Sequence, residues 1–380
     1  MRGMGDALVL GAGIMGLSAA WALDAAGHRV TVIEQDPIPN PRGSSVDDHR
    51  LIRHAYGAAT GYMRMVEEAY AAWEALFEAI GERPYVETGV LALADGGASE
   101  ADWLAASRRN LRADSHEVQD LPPARLAALF PWLRPDGLSD GFLAPRGGVL
   151  LARPIVAALF RHLQSRGVAF HQARATSVDA ARGRLTLSDG RVLEGDQLVV
   201  AAGPWAPRLL PALAPRVTPS RQIVVYLEPP PQHREAWASA PMVLDLSESG
   251  GFYAVPPVTG TGLKIGDHRF SCAGSPDDPR EASAEERDAI LALAMPRLRD
   301  AADYRVVEAR ACYYDVEPRE RFVVEPLSEC CVVMSGFSGH GFKFGPVLGQ
   351  AVAAAFRDPA RMAALPGWAA GDAQGQDVAA

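Results

Sequence analysis

"ALVLGAGIMGLSAAWALDAAGHRVTVIEQ", Ala7 to Gln35, decides the fold of this 380-residue chain. A short apolar run, Ala7 to Leu10, leads into Gly11-Ala12-Gly13-Ile14-Met15-Gly16, which has the G-x-G-x-x-G spacing. The segment after it has helical composition and stops at Gly27, and a second apolar run ends in Glu34. In a strand–turn–helix–strand unit each part has a task. The first glycine makes the tight turn, the second admits a pyrophosphate, and the third lets helix and strand pack closely. The helix N-terminus offers N–H groups to phosphate oxygens, and an acid about 20 residues on accepts hydrogen bonds from ribose hydroxyls. The stretch therefore predicts dinucleotide binding through Gly11, Gly13, Ile14, Met15, Gly16 and Glu34. It does not separate NAD from FAD, but an acid at position 34 disfavours the 2′-phosphate of NADP.

Composition narrows the partners. The chain is 48% hydrophobic and 22% charged, with 46 acidic against 37 basic side chains and a net charge of −9. That balance disfavours nucleic acid or an anionic membrane as the main partner. No run approaches the ~18 apolar residues of a membrane span. The first apolar run lacks the cleavage site of a secretory signal. The four cysteines, Cys272, Cys312, Cys330 and Cys331, are too few and too irregular for a disulfide framework or a zinc site. A cytoplasmic protein without a metal is expected.

Further along, Pro39–Gly57 reads as a polar loop, and "YMRMVEEAYAAWEALFEAIG" as a long amphipathic helix stopped by Gly81. A β-meander with a turn at Asp189-Gly190 follows, then strands from Gln222 to about Phe270 and a helix in "SAEERDAILALAMPRL". "CCVVMSG" reads as a buried strand, and "VLGQAVAAAF" as a helix. Between them lies the glycine-rich "SGFSGHGFKFGP", Ser335 to Pro346. The small, polar ending from Gly367 is expected to fray. The order implies an α/β, two-domain architecture, with a Rossmann-like domain interrupted by a mainly antiparallel β domain. Residues 1–83, 148–216 and 306–380 are assigned to the first, and 84–147 and 217–305 to the second.

Three distant stretches, "HRLIRHAYG", "GFYAVPPVTGTGLKIGDH" and "ACYYDVEPRERFVVEP" through "SGFSGHGFKFGP", carry a resemblance when joined to the N-terminal unit. In the same order over almost the whole chain, they resemble the monomeric sarcosine oxidase and N-methyl-amino-acid oxidase group of the D-amino-acid-oxidase-like flavoproteins. The resemblance implies FAD, oxidation of a C–N bond next to a carboxylate with hydride passing to the flavin, an imine product, and O2 reduced to hydrogen peroxide. It also implies a monomer.

By that resemblance, Arg53 and Lys343 bind the substrate carboxylate, Tyr253 and His268 line the substrate pocket, and Arg50 lies near the flavin face. Lys264 promotes reaction with O2, and His340 sits beside the flavin. Cys312 forms a thioether with the flavin 8α-methyl group. Ser44, Gly339, Gly341 and Phe342 join Arg50 and Lys343 in holding the cofactor. The glycines of Ser335–Pro346 are expected to let the main chain pass close to a flat ligand, and the following helix N-terminus to face the ring edge where negative charge develops. Composition alone makes Cys312 a small buried hydrophobe. His49 stands where the resembled enzymes carry a small hydroxyl residue, and "SSVDDH" and "AVPPVTGT" also depart from their pattern. An N-methyl or cyclic amino acid is therefore expected in place of sarcosine. Two other readings stay open: a dehydrogenase with an acceptor other than O2, and a flavin-binding subunit without turnover.

Overall fold

The computed structural model describes residues 5–248 and 251–372. Its first layer is a six-stranded sheet centred on β1 (Asp6–Leu10) and β2 (Arg29–Glu34), joined by helix α1 (Ile14–Ala25). β1 pairs in parallel with β2 on one side and with Gln197–Val200 on the other, and Cys331–Ser335 follows in parallel beside the latter. β1 is almost wholly apolar and buried, as expected of a parallel strand covered on both faces.

Two close approaches fix the layer above this sheet. A Cβ on Gly16 would lie 1.9 Å from the Gly11 carbonyl oxygen, and one on Gly349 would lie 2.5 Å from the Ser18 backbone. The helix Gly345–Ala355 therefore packs backbone to backbone against α1. This brings the loop after Cys331–Ser335 and the turn after β1 to the same end of the sheet. Open α/β sheets bind ligands at that carboxyl end.

The second layer is an eight-stranded, mainly antiparallel sheet, with one parallel pairing between Met242–Asp245 and Val90–Ala94. Its long strands Thr218–Glu228 and Arg305–Val316 pair along their whole length. Arg305–Val316 thus belongs to this sheet, whereas the sequence assigned 306–380 to the nucleotide domain; the change of sheet follows Val316. A small three-stranded sheet links the layers through β3 (His49–Arg53), which pairs with Gly147–Leu151.

The sequence read Pro39–Gly57 as loop throughout, yet β3 lies within it. The arginines flanking Leu51 and Ile52 hid the strand, because both arginine side chains turn into the protein interior. After β3 comes helix α2 (Thr60–Ile80), closed by Gly81 at φ 70° as predicted. The expected meander is present as a three-stranded sheet turning at Gly190. The ending is less frayed than expected, since Gly367 to Ala369 continue the helix Pro359–Ala369 and Trp368 is buried. The rest of that tail, 373–380, lies outside the described residues. All four cysteines are free thiols. Among the described residues, no helix is long and apolar enough to cross a membrane.

Candidate active site

A long cleft opens at the carboxyl end of the six-stranded sheet. Its lining runs from Glu34 and Asn40, past Gly11, Gly13, Ile14 and Met15, to Ser44, Arg50 and Tyr314, and ends at Gly339, Gly341 and Phe342. Gly11 has φ +105°, and a Cβ there would lie 2.3 Å from the Ala201 carbonyl oxygen. Glu34 is buried. It accepts hydrogen bonds from Ala12 N–H at 2.7 Å and Asn40 Nδ2 at 2.9 Å. Burial pushes its carboxyl above the usual range, and these donors oppose the shift. Ile14 N–H, at the helix start, donates to Ser45 Oγ at 3.0 Å, a contact the sequence did not single out. Gly16 does not line the cleft; it serves the helix–strand approach already described.

A cleft of this length, with a glycine turn at its middle and a buried acid at one end, fits an extended dinucleotide such as FAD. The glycines of the closing loop are also fixed by tight protein neighbours. A Cβ on Gly339 would lie 2.3 Å from Tyr314, and one on Gly341 would lie 2.7 Å from Phe337. Gly339 also has φ +77°. They seat the loop against Tyr314 and Phe337 while lining the cleft.

Beyond the cleft are two groups of buried cations. Arg50 and Arg53 are three residues apart on β3, and side chains alternate along a strand. They therefore leave by opposite faces.

Arg53 meets Tyr56, with its guanidinium 4.7 Å from that ring and 5.7 Å from the Trp103 ring. Lys343 reaches the same tyrosine from the glycine-rich loop. Its Nζ donates to Tyr56 Oη at 3.0 Å and to the His340 carbonyl at 2.8 Å. Trp73 on α2 holds the loop by donating Nε1–H to the Lys343 carbonyl at 2.6 Å. His340 Nε2 lies 3.2 Å from the Glu320 carbonyl, so that nitrogen carries the proton, and Nδ1 accepts from Tyr56 at 3.2 Å. Burial and the neighbouring Lys343 hold His340 well below its usual pKa, so it is neutral here. Burial, then Arg53, likewise pushes Lys343 well down. Among the described residues, neither Arg53 nor Lys343 forms an ion pair. With no acid bonded to either, and Glu320 acting on Arg53 only through space, this desolvated place favours an anion.

The second group surrounds Asp47, a residue the sequence reading passed over. Lys264 and Arg310 donate to its carboxylate, as does the Tyr226 hydroxyl, and Arg50 Nη1 lies 2.6 Å from it. Arg310 also lies 3.8 Å from Asp48 and 3.7 Å from Glu308. Burial alone would raise the Asp47 pKa; the cations, Lys264 foremost, outweigh it and hold the group well below the carboxylate range. An inward lysine needs a partner, so Lys264 was the available clue, but only the fold shows which acid answers it. His49 is fully buried beside this group, and its Nε2 contacts Thr261 Oγ1.

Cys312 and Tyr314 share one face of their strand, and Tyr314 lines the cleft. Burial pushes the Cys312 thiol up, and the adjacent Arg50 pulls against it. Tyr253 lies beside the second group, with its ring 5.7 Å from Lys264 Nζ and 5.7 Å from the His268 ring. His268 is exposed. Of the expected site residues, Ser44, Arg50, Gly339, Gly341 and Phe342 thus meet the glycine turn in one cleft. Arg53, His340 and Lys343 form one neighbouring group, and Lys264 is in the other.

Comparison with known proteins places the chain in a family. The chain is 27% identical to monomeric sarcosine oxidase from Bacillus sp. (strain NS-129), over 92% of each sequence. It is 26% identical to N-methyl-L-tryptophan oxidase from Yersinia pestis, over 92% of this chain and 94% of that one. In fold it is similar to fructosamine oxidase (Amadoriase II) from Aspergillus fumigatus, with TM-score 0.80, 22% identity, and 99% of this chain and 92% of that one covered. L-proline dehydrogenase from P. horikoshii superposes with TM-score 0.77 at 19% identity, over 93% of this chain and 94% of that one. The sequence signature of the FAD dependent oxidoreductase family matches residues 6–355. With that match over most of its length, the chain is an enzyme and belongs to the FAD dependent oxidoreductase (DAO) family.

Proposed function

We propose that this enzyme oxidises the C–N bond of an amine bearing a carboxylate, a secondary or cyclic amino acid, and uses O2 as the final oxidant. The observation that carries this reading is the meeting of Arg53 and Lys343 at Tyr56 without an acid between them. Bound FAD supplies the two-electron acceptor for this chemistry. Glu34 would hold its ribose, the turn Gly11–Gly16 its pyrophosphate, and Ser44, Arg50 and Gly339–Phe342 its ring end, with Cys312 as the thioether partner.

The residues of the chain divide the remaining work. Arg53 presents a planar pair of donors to the carboxylate and Lys343 a point charge, which together fix the orientation of the C–N bond. His340 is a positioning residue in this reading, because it fixes Tyr56 and through it Lys343. Tyr253 and His268 stand at the substrate side, and His268, being exposed, belongs to the mouth. Lys264 supplies fixed positive charge for oxygen reduction. The free thiols fit a reducing compartment such as the cytoplasm, and we assign a monomer with the sheet change after Val316 as its domain boundary.

A second reading rests on Asp47. Its ion pair with Lys264 offsets the charge that would favour superoxide, which suits an acceptor other than O2. Peroxide yield per substrate oxidised separates the two.

The decisive experiment is an anaerobic titration of the flavin-loaded enzyme with N-methyl and cyclic amino acids and with their esters. Free acids are expected to bleach the visible flavin absorbance far more readily than esters. Equal bleaching by both would remove the role of the cation pair. For the thioether, acid precipitation should leave colour in the pellet of the parent protein and in the supernatant of Cys312→Ala.

A further inference from the structure

Away from the cleft, the fold assembles a cluster that no sequence spacing announces. His54 follows β3 directly, Glu67 lies on α2, and His116 follows the helix Ala98–Ala113. Among the described residues, these three are the one group of histidine, cysteine or acid side chains placed to share an ion, with donor atoms within 4.8 Å of one another.

We propose that His54, Glu67 and His116 bind a divalent transition-metal ion of the zinc class. His54 Nε2 lies 2.6 Å and His116 Nε2 3.5 Å from the same oxygen, Glu67 Oε1. Metal–ligand bonds of about 2.0–2.2 Å at tetrahedral angles set donor atoms roughly 3.3 Å apart, so small side-chain adjustments admit an ion. Two imidazoles and a carboxylate form a donor set suited to zinc, with a fourth position left for water.

The second observation concerns His54 itself. It is only 3% exposed, yet neither ring nitrogen makes a hydrogen bond; the close approach to Glu67 lacks the required direction. A buried imidazole without a partner is costly, and an ion in the gap would engage it. The Tyr70 ring stacks on it, with centroids 5.2 Å apart, and holds its plane.

One group competes. Arg146 Nη1 lies 3.0 Å from Glu67 Oε1 and its guanidinium sits over the Tyr70 ring at 4.4 Å, so the ion must take Glu67 from it; the side chain is half exposed, which leaves it room to yield. Glu67 is itself 43% exposed, which gives the ion a route in. The ion would tie together three segments distant in sequence, next to Arg53. This role is structural, and it departs from the expectation of no metal because the cluster exists only in the folded chain.

The test uses the full-length, flavin-loaded protein, freed of metal by a chelator and dialysed, then titrated with zinc chloride alone. One zinc per chain is expected, together with a rise in Tm on the order of 3 °C. The double variant Glu67→Gln/His116→Gln, which spares the buried His54, should lose affinity by at least about tenfold. Arg146→Ala should tighten it. Absence of stoichiometric uptake by the unaltered protein, or equal uptake by the double variant, overturns the proposal. Neither outcome bears on the cation pair at Tyr56.

Discussion

Lys264 and Lys343 are equally buried, each 4% exposed, yet the protein treats them in opposite ways. Lys264 meets Asp47, and Arg50 and Arg310 share the same acid. Lys343 has a phenol and a carbonyl for company, with Arg53 as a second cation nearby and no acid bonded to either. A compensated centre is complete in the folded chain, so the charge Lys264 lends to oxygen reduction is already held in place. A centre without an ion-paired acid is a place held ready for something else. The difference separates compensated charge from recognition charge without reference to any relative.

The sharpest way to break this comparison is to remove the acid. Asp47→Asn leaves three cations around a neutral amide, and losing one partner of a buried pair costs about 3–5 kcal/mol. Thermal unfolding of the flavin-loaded protein should show that loss. Lys343→Met, in contrast, should leave ligand-free stability unchanged or higher. Similar losses in both variants would erase the distinction.

Next in size is recognition. Lys343→Met or Arg53→Met should lower kcat/KM for a carboxylate-bearing amine on the order of 10²- to 10³-fold, the scale of a truncated buried charge contact. A carboxylate-free amine should lose far less.

A pH experiment sharpens the compensated centre. Burial, then Lys264, lowers the His49 pKa from 6.5 to about 3. The folded state keeps this ring neutral while the unfolded chain takes a proton below 6.5, so its stabilising contribution is full above that pH and is lost on acidification. From about pH 7 to about pH 5, the parent should lose about 2 kcal/mol more than His49→Gln. Asp315, raised to about 6 by burial, shifts both proteins alike in the other direction. Parallel stability curves would show that His49 is charged in the fold.

The smallest effect concerns Tyr56→Phe, which removes one hydroxyl from Lys343 and His340. A net hydrogen bond is worth about 1 kcal/mol, so KM for the carboxylate substrate should rise about fivefold.

The sequence disclosed what is local. Gly11–Gly16 and Glu34 are legible because turn, helix start and strand end lie within one βαβ unit. Gly81 and the Asp189-Gly190 turn are legible because backbone geometry selects the residue. β3 was not, since two inward-facing arginines imitate a loop. Asp47 was not, because a carboxylate in a polar segment looks solvated until Lys264, 217 positions away, is brought against it. The closing loop was half legible: its glycines mark a constrained path and Phe337 lies within it, but Tyr314, which constrains Gly339, comes from a distant strand. His54, Glu67 and His116 have no shared spacing, so nothing in the linear order joins them.

The odd interval between Arg50 and Arg53 has a practical outcome. Mutational libraries aimed at substrate choice can be confined to the Tyr56 side of β3 without disturbing the Asp47 side, and oxidant preference can be retuned from the other. Inserting or deleting a single residue between these arginines would put both on the same side and sacrifice one task to the other.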